Sequence, residues 1–291
     1  MKSISTYLQW IPLDKSWLTR MGTLDILHKN RSIESKLLGY KNISEDLSAL
    51  ITASRAWNTD EVLYVGESAT LYRILQFASW KFDLHKKFAK EGSLLERVIE
   101  NDPQIINLSQ KELLKLDSGT TQWATAAVIC GDMERWSDVP SKLVETYNAV
   151  EEWQQCKISG AEWNVRHDKT IIRQVDFFIS TLGGHTVTFL PLCSDDYCFA
   201  RAFGFITSEK GLEMWPSLVG HETNRIEEME KSLTQASLEG SVDSLDHRVI
   251  QSIAMWGRVN NKKIIFKYKD KVAKSWPYFW EFLDEVEKNG K

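Results

Sequence analysis

SEDLSALITASRAWNTDEVLYVGESATLYRILQFASW, residues 44–80, carries the pattern on which the fold class turns. Leu47, Leu50, Ile51 and Trp57 fall on one stripe behind Ser44, an N-cap residue type, so 44–57 reads as an amphipathic helix. EVLYV at 61–65 is a short β-type run closed by Gly66. Leu71, Ile74, Leu75 and Ala78 then return to helical spacing over 67–80. Helix, strand and helix in direct succession argue an α/β protein.

The alternation continues outward. GTTQWATAAVIC at 119–130 is an apolar helical stretch behind a Gly-Thr-Thr start, and HTVTFLPL at 185–192 reads as a strand. DDYCFARAFGF, ETNRIEEMEKSL (with Ile226, Met229 and Leu233) and DHRVIQSIAMW read as three further helices. KKIIFKYK at 262–269 alternates as a strand does, and WPYFWEFLDEVEK is a final helix with Pro277 near its first turn. The polar stretch QQCKISGAEWNVRHDK marks a boundary near residues 155–170.

Composition bounds the function. Of 291 residues, 43% are hydrophobic and 26% charged, which excludes a disordered or collagen-like chain. Lys and Arg total 36 against 40 Asp and Glu, a formal charge of -4, so no strong positive field draws nucleic acid; a local basic patch stays open. Twelve Trp supply ample area for a core. The first residues hold no apolar stretch of signal-peptide length, and the longest apolar run in a helical pattern, AAVIC, is far short of a membrane span. The four Cys (130, 156, 193 and 198) form no CxxC pair, and the six His form no HxH or HExxH. The expectation is a cytoplasmic protein acting on small molecules, with no metal, no nucleic-acid partner and no membrane partner.

Polar and charged residues recur at the expected helix starts: Lys15-Ser16, Ser68 to Thr70, Thr120 to Gln122, Asp195, Glu222 with Arg225, Asp246 to Arg248, and Lys274-Ser275. Ser, Thr and Asp are preferred there as caps. Lys and Arg are not, because the positive end of the helix dipole opposes them unless an anion is shared. Lys15, Arg20, Arg225, Arg248 and Lys274 therefore mark either plain helix starts or sites for phosphate and carboxylate.

Seven segments, in order along the chain, resemble the signatures of the enolpyruvyl transferases, specifically the 5-enolpyruvylshikimate-3-phosphate synthase (3-phosphoshikimate 1-carboxyvinyltransferase) family. PLDKSWLTR at 12–20 is similar to PG(S/D)KSxxxR, GESATLYR at 66–73 to GNAGTxxR, SLLERVI at 93–99 to MxxRPI and TTQWATAA at 120–127 to SSQxxSAL. HETNRIEEM at 221–229 resembles KE(S/T)DR…M, DHRVIQSIAM at 246–255 resembles DHRxAM, and AKSWPYFWEFL at 273–283 resembles SKTFPxFFExL.

The resemblance implies transfer of the enolpyruvyl group of phosphoenolpyruvate to an alcohol through a tetrahedral intermediate, with release of phosphate and with no cofactor. Lys15, Arg97 and Lys274 would hold the phosphate, and Arg225 and Arg248 the carboxylate, for which the guanidinium fork is suited. Ala69 stands at a donor-loop position of the same set. Ser16, Arg20, Thr120, Thr121, Gln122, Ser141 and His221 would contact the acceptor. Asp195 would take the acceptor hydroxyl proton, adjacent Asp196 being the other reading, and Glu222 and Lys15 are the candidates for protonating the methylene.

The implied fold is two-lobed, each lobe an inside-out α/β barrel with trimmed peripheral hairpins. Residues 1–15 and 155–291 would form the lobe with the carboxylate and acid/base residues, and 16–154 the acceptor lobe. Departures concentrate on the acceptor side: the chain is shortened, His221 stands for a Lys, Glu67 for an Asn, Ala69 for a Gly and Asn224 for an Asp. Shikimate 3-phosphate is the default acceptor. A different alcohol, or a non-catalytic role in binding an anionic metabolite, is the alternative.

Overall fold

Two short crossings divide the chain. The computed structural model describes residues 4–30, 32–117, 120–219 and 224–290. It separates into a central unit, Asp14–Arg166, and a terminal unit, Met1–Leu13 with His167–Lys291. The sequence expectation put the crossings after 15 and after 154. Lys15, expected with the late motifs, lies instead in the central unit. Asp14 is the reason. Its carboxylate caps the first helix at the Trp17 N–H (3.0 Å), its own N–H donates to the Arg166 carbonyl (2.9 Å), and it pairs with Arg166 Nε (3.1 Å). In the terminal unit Leu13 bridges antiparallel to His167, and the Asp168 N–H donates to the Pro12 carbonyl.

The central unit runs α1 (Lys15–Leu27), α2 (Ser32–Leu37), α3 (Glu45–Ala56), β1 (Leu63–Gly66), α4 (Ala69–Lys81), β2 (Phe88–Lys90), α5 (Ser93–Glu96), α6 (Gln110–Leu113), α7 (Gln122–Ile129) and α8 (Val144–Ser159). The 44–80 stretch folds as its pattern requires: the Ser44 hydroxyl accepts from the Leu47 N–H, and Ser68 caps α4 in the same way. α1 buries Trp17, Leu18, Met21 and Leu24 and packs against α3, α4, α7 and α8. β1 pairs in parallel with β2.

The terminal unit opens with a 3₁₀ turn, Ile4–Trp10, and continues with α9 (Lys169–Leu182), α10 (Tyr197–Ala202), α11 (Ser208–Met214), α12 (Arg225–Leu238), β3 (Ser241–Val242), α13 (His247–Val259), β4 (Ile265–Phe266) and α14 (Phe279–Gly290). Its core is aromatic. Phe178, Phe199, Trp276, Phe279 and Phe282 are all buried, and the Trp276 indole donates to the Trp10 carbonyl (2.6 Å). β3 and β4 pair in parallel.

Helices mixed with parallel strand pairs make the chain α/β and mostly helical, and among the described residues no strands close into a barrel. The expected strand at 185–192 does not form. Phe189 is drawn into the cluster of Phe177 and Phe199, while Val187, Leu190 and Leu192 stay exposed and the Leu192 N–H turns to Asp196. Of 262–269 only Ile265–Phe266 is strand. Helix α9 follows the boundary stretch, over residues to which the sequence reading gave no element. Among the described residues no helix is long and apolar enough to cross a membrane.

Candidate functional site

Three helix starts of the terminal unit bring their charged residues together. Arg225 is the first residue of α12, Asp246 caps α13 by accepting from the Arg248 N–H (2.9 Å), and Asp195 lies in the turn before α10. Arg248 Nη2 stands 2.9 Å from Asp195 Oδ2, Arg225 Nη1 is 3.9 Å from Asp195 Oδ1, and Arg225 Nε bonds Asp246 at 3.0 Å. Here is the anion that cations at helix starts require: two carboxylates answer two guanidiniums. Burial opposes the charge on Arg225, but Asp246, Cys198 and Asp195 outweigh it and its pKa is raised. Beneath the cluster, burial pushes the Cys198 thiol up to about 12.

Asp195 and Asp196 separate cleanly. The Asp196 side chain is 0% exposed and accepts from Arg173 (2.6 Å), Gln174 (3.1 Å) and the Leu192 N–H (2.9 Å). The Asp195 side chain is 43% exposed, so of the two it is the one a solute reaches. Arg248 Nε is buried with no hydrogen-bond partner among the described residues, a donor that a bound anion would satisfy. Lys274 ends a 3₁₀ turn. Its neighbour Ser275 accepts from Gln251 (3.1 Å), so this segment runs beside the first turns of α13, where Arg248 sits. Glu222 and His221 lie outside the described residues.

The central unit holds the rest in separate groups. Lys15 pairs with Asp46 of α3 at 2.9 Å, next to exposed Ser16. Arg20 Nε donates to Thr146 of α8 (3.0 Å), one turn beyond the 3₁₀ segment that begins at exposed Ser141. Burial lowers the Arg20 pKa, with Glu145 and Asp14 opposing, and its Nη1 is buried without a hydrogen-bond partner among the described residues. Thr120 accepts from the Gln122 N–H (3.0 Å) and Thr121 precedes α7, so both serve its start. Ala69 is buried at the first residue of α4.

Gln122 is held by Arg73, whose Nε also pairs with Asp117 at 2.7 Å, and the Trp123 indole donates to the same carboxylate. Burial lowers the Arg73 pKa and the nearby charge of Arg97 lowers it further, so half-buried Arg97 belongs to this group. Sequence reasoning missed Arg73, Asp117 and Asp46 as site-building residues. The one available signal was Arg73 itself, the Arg that closes the segment GESATLYR.

The cavities described lie elsewhere. One of about 510 Å³ sits at the far end of α13, one of about 410 Å³ beside Arg201 and Trp256, and one of about 230 Å³ at Asp25, Trp153 and Trp163. The Asp195 cluster is thus recognised by its chemistry, which is the better guide where an anion has to displace an internal carboxylate. Comparison of the chain with protein-family models, curated proteins and solved structures returns no match.

Proposed function

We propose that the chain is an enolpyruvyl (carboxyvinyl) transferase that moves the enolpyruvyl group of phosphoenolpyruvate to an alcohol, with shikimate 3-phosphate as the default acceptor. The observation that carries this reading is the reachable Asp195 carboxylate held on Arg248, whose Nε is buried without a partner among the described residues. Arg248 and Arg225 offer planar forks to the phosphoenolpyruvate carboxylate. Displaced from Arg248, Asp195 would accept the acceptor hydroxyl proton. The acceptor oxygen then bonds C2 while C3 gains a proton from Lys15 or Glu222, the candidate acids, which takes the proton back in the last step. From that tetrahedral species phosphate leaves and C3 gives the proton back. The lobes would be the inside-out barrels of the enolpyruvyl transferases in a reduced form, with Ser16, Arg20, Thr120, Thr121, Gln122 and Ser141 on the acceptor and Lys15, Arg97 and Lys274 on the phosphate.

The same chemistry on a different alcohol is favoured by Glu67. Its carboxylate is bonded to the Ser93 hydroxyl (2.9 Å) and N–H, so the altered loop position has a settled structural role. The test is phosphate release from phosphoenolpyruvate over a panel of alcohols that includes shikimate 3-phosphate. Acceptor-dependent release is the expected result. Tight phosphoenolpyruvate binding with no release from any alcohol would overturn catalysis and leave a metabolite-binding protein. Arg248→Ala should weaken phosphoenolpyruvate binding by about 1.5–3 kcal/mol, the worth of a charged hydrogen bond. Unchanged affinity in calorimetry would remove the donor-site assignment.

A further inference from the structure

The largest described cavity belongs to no part of that reading. It opens in the terminal unit between the C-terminal end of α13, the 261–266 segment and α14. Ala254 and Gly257 are its small lining residues; a Cβ at Gly257 would stand 2.7 Å from the Ile264 side chain. One wall is aromatic and fixed. The Trp280 indole donates to the Lys269 carbonyl (2.8 Å), and its ring packs on Phe266 with centroids 5.3 Å apart. At about 510 Å³ the hollow is within the usual size of small-molecule sites.

The rim decides the sign of the ligand. Arg258 is committed to Asp284 (3.5 Å) and Glu287, and Lys267 nearby to Asp243 (3.0 Å). Lys262 and Lys263 have no carboxylate partner among the described residues. Lys262 only lies over the Trp256 ring, 5.2 Å from its centroid. Two lysines with no carboxylate partner among the described residues therefore line a hollow in which the one acidic lining residue described, Glu287, is already paired.

We propose that this hollow binds a planar aromatic anion of about mononucleotide size, its ring against Trp280 and Phe266 and its phosphate or carboxylate on Lys262 and Lys263. Ring and charge act together: the ring displaces water from the aromatic wall, and the two rim lysines add attraction for the anionic group. The site is independent of the Asp195 cluster.

Calorimetry on the full chain with 1-naphthyl phosphate and with adenosine monophosphate tests this. Saturable one-site binding is expected, at least tenfold weaker in Lys262→Ala/Lys263→Ala, weakened in Trp280→Leu, and retained in Arg248→Ala. The two lysines are exposed, so the double variant folds even if Trp280→Leu does not. Inorganic phosphate should bind at least tenfold more weakly than 1-naphthyl phosphate. Equal affinity for inorganic phosphate would overturn the proposal, as would unchanged binding in the double lysine variant. So would saturable binding of a thymidine 12-mer with none of 1-naphthyl phosphate, since the surface would then read a nucleic-acid strand.

Discussion

Asp196 commits its carboxylate to the fold, tying Arg173 and Gln174 of α9 to the turn at Leu192, whereas Asp195 beside it faces solvent and Arg248. Removing one partner of a buried, hydrogen-bonded charge is costly, so Asp196→Asn should lower stability by roughly 3 kcal/mol in urea denaturation. Asp195→Asn breaks a part-exposed pair and should change stability by less than ~1 kcal/mol. It should nevertheless abolish acceptor-dependent phosphate release. A stable, fully active Asp195→Asn would exclude Asp195 as the base. The thiols give a second expectation at this scale. Burial raises the pKa of Cys130 and Cys198 from 9.0 to about 12, so near pH 9 both stay protonated. Iodoacetamide at that pH should label half-buried Cys156 and spare these two until the chain unfolds. With the folded pKa above the unfolded one, their contribution to stability is complete below pH 9 and is lost as pH climbs toward 12. Labelling of Cys198 in the native protein would mean that the floor of the Asp195 cluster is open to solvent.

Helix-scale energetics turn on close approach at two glycines. Alanine is favoured over glycine inside a helix by about 1 kcal/mol, which alone would make Gly→Ala stabilising. At Gly211 of α11 the added Cβ would stand 2.4 Å from the ring of Tyr197, a buried side chain whose hydroxyl is bonded to Ser208. A rigid ring has no room to give, and overpacking costs about 1–3 kcal/mol, so Gly211→Ala should be destabilising by about 1 kcal/mol. At Gly22 of α1 the neighbours are Leu50 Cδ2 at 2.8 Å and Ile33 Cγ1 at 3.0 Å, aliphatic side-chain atoms that yield more readily than a ring. Gly22→Ala should fall closer to neutral, and thermal denaturation of the pair reads the difference. The same contrast between local pattern and tertiary partner explains what the sequence disclosed. Helices α3, α4, α12 and α13 were legible because cap and apolar stripe agree in each, at Ser44, Ser68, Asn224 and Asp246. The strand reading at 185–192 failed because alternation says nothing about a missing partner strand. Helix α9 was hidden because a polar run precedes it, although Ile171, Val175, Phe178 and Ile179 behind Asp168 carry a full helical stripe. At the site, Arg225, Arg248 and Asp195 were foreseen as a set. Asp46 and Asp117 were not, since a carboxylate gains its role from a cation far off in sequence: Lys15 for one, Arg73 for the other.

At the scale of the molecule, the division into units makes a claim about independent folding. Asp14–Arg166 is continuous, lies in the ordinary size range of a domain, and buries its own core of Trp17, Leu18, Leu50, Phe77 and Trp123. Its ends are fastened to each other: the Asp14 N–H donates to the Arg166 carbonyl, their side chains pair, and the Arg166 guanidinium lies 3.7 Å from the Trp17 ring centroid. Residues 14–166 expressed alone should therefore unfold cooperatively and give dispersed amide resonances. The terminal unit is discontinuous, but Leu13 and His167 bridge antiparallel, so a linker of two or three glycines from 13 to 167 should rejoin it without strain. Because Arg225, Arg248 and Asp195 all lie in this second unit, the linked fragment should keep weak phosphoenolpyruvate binding that Arg248→Ala removes, while 14–166 alone keeps none of that Arg248-dependent binding. Neither fragment should release phosphate: the linked terminal fragment lacks Arg20 and Gln122, proposed for the acceptor, and 14–166 lacks Asp195 and Arg248. A 14–166 fragment that is compact yet melts without a cooperative transition would show that the central core is completed only in the whole chain. A linked terminal fragment that folds but binds phosphoenolpyruvate no better than its Arg248→Ala variant would place the donor site elsewhere, and with it the proposed chemistry of Asp195.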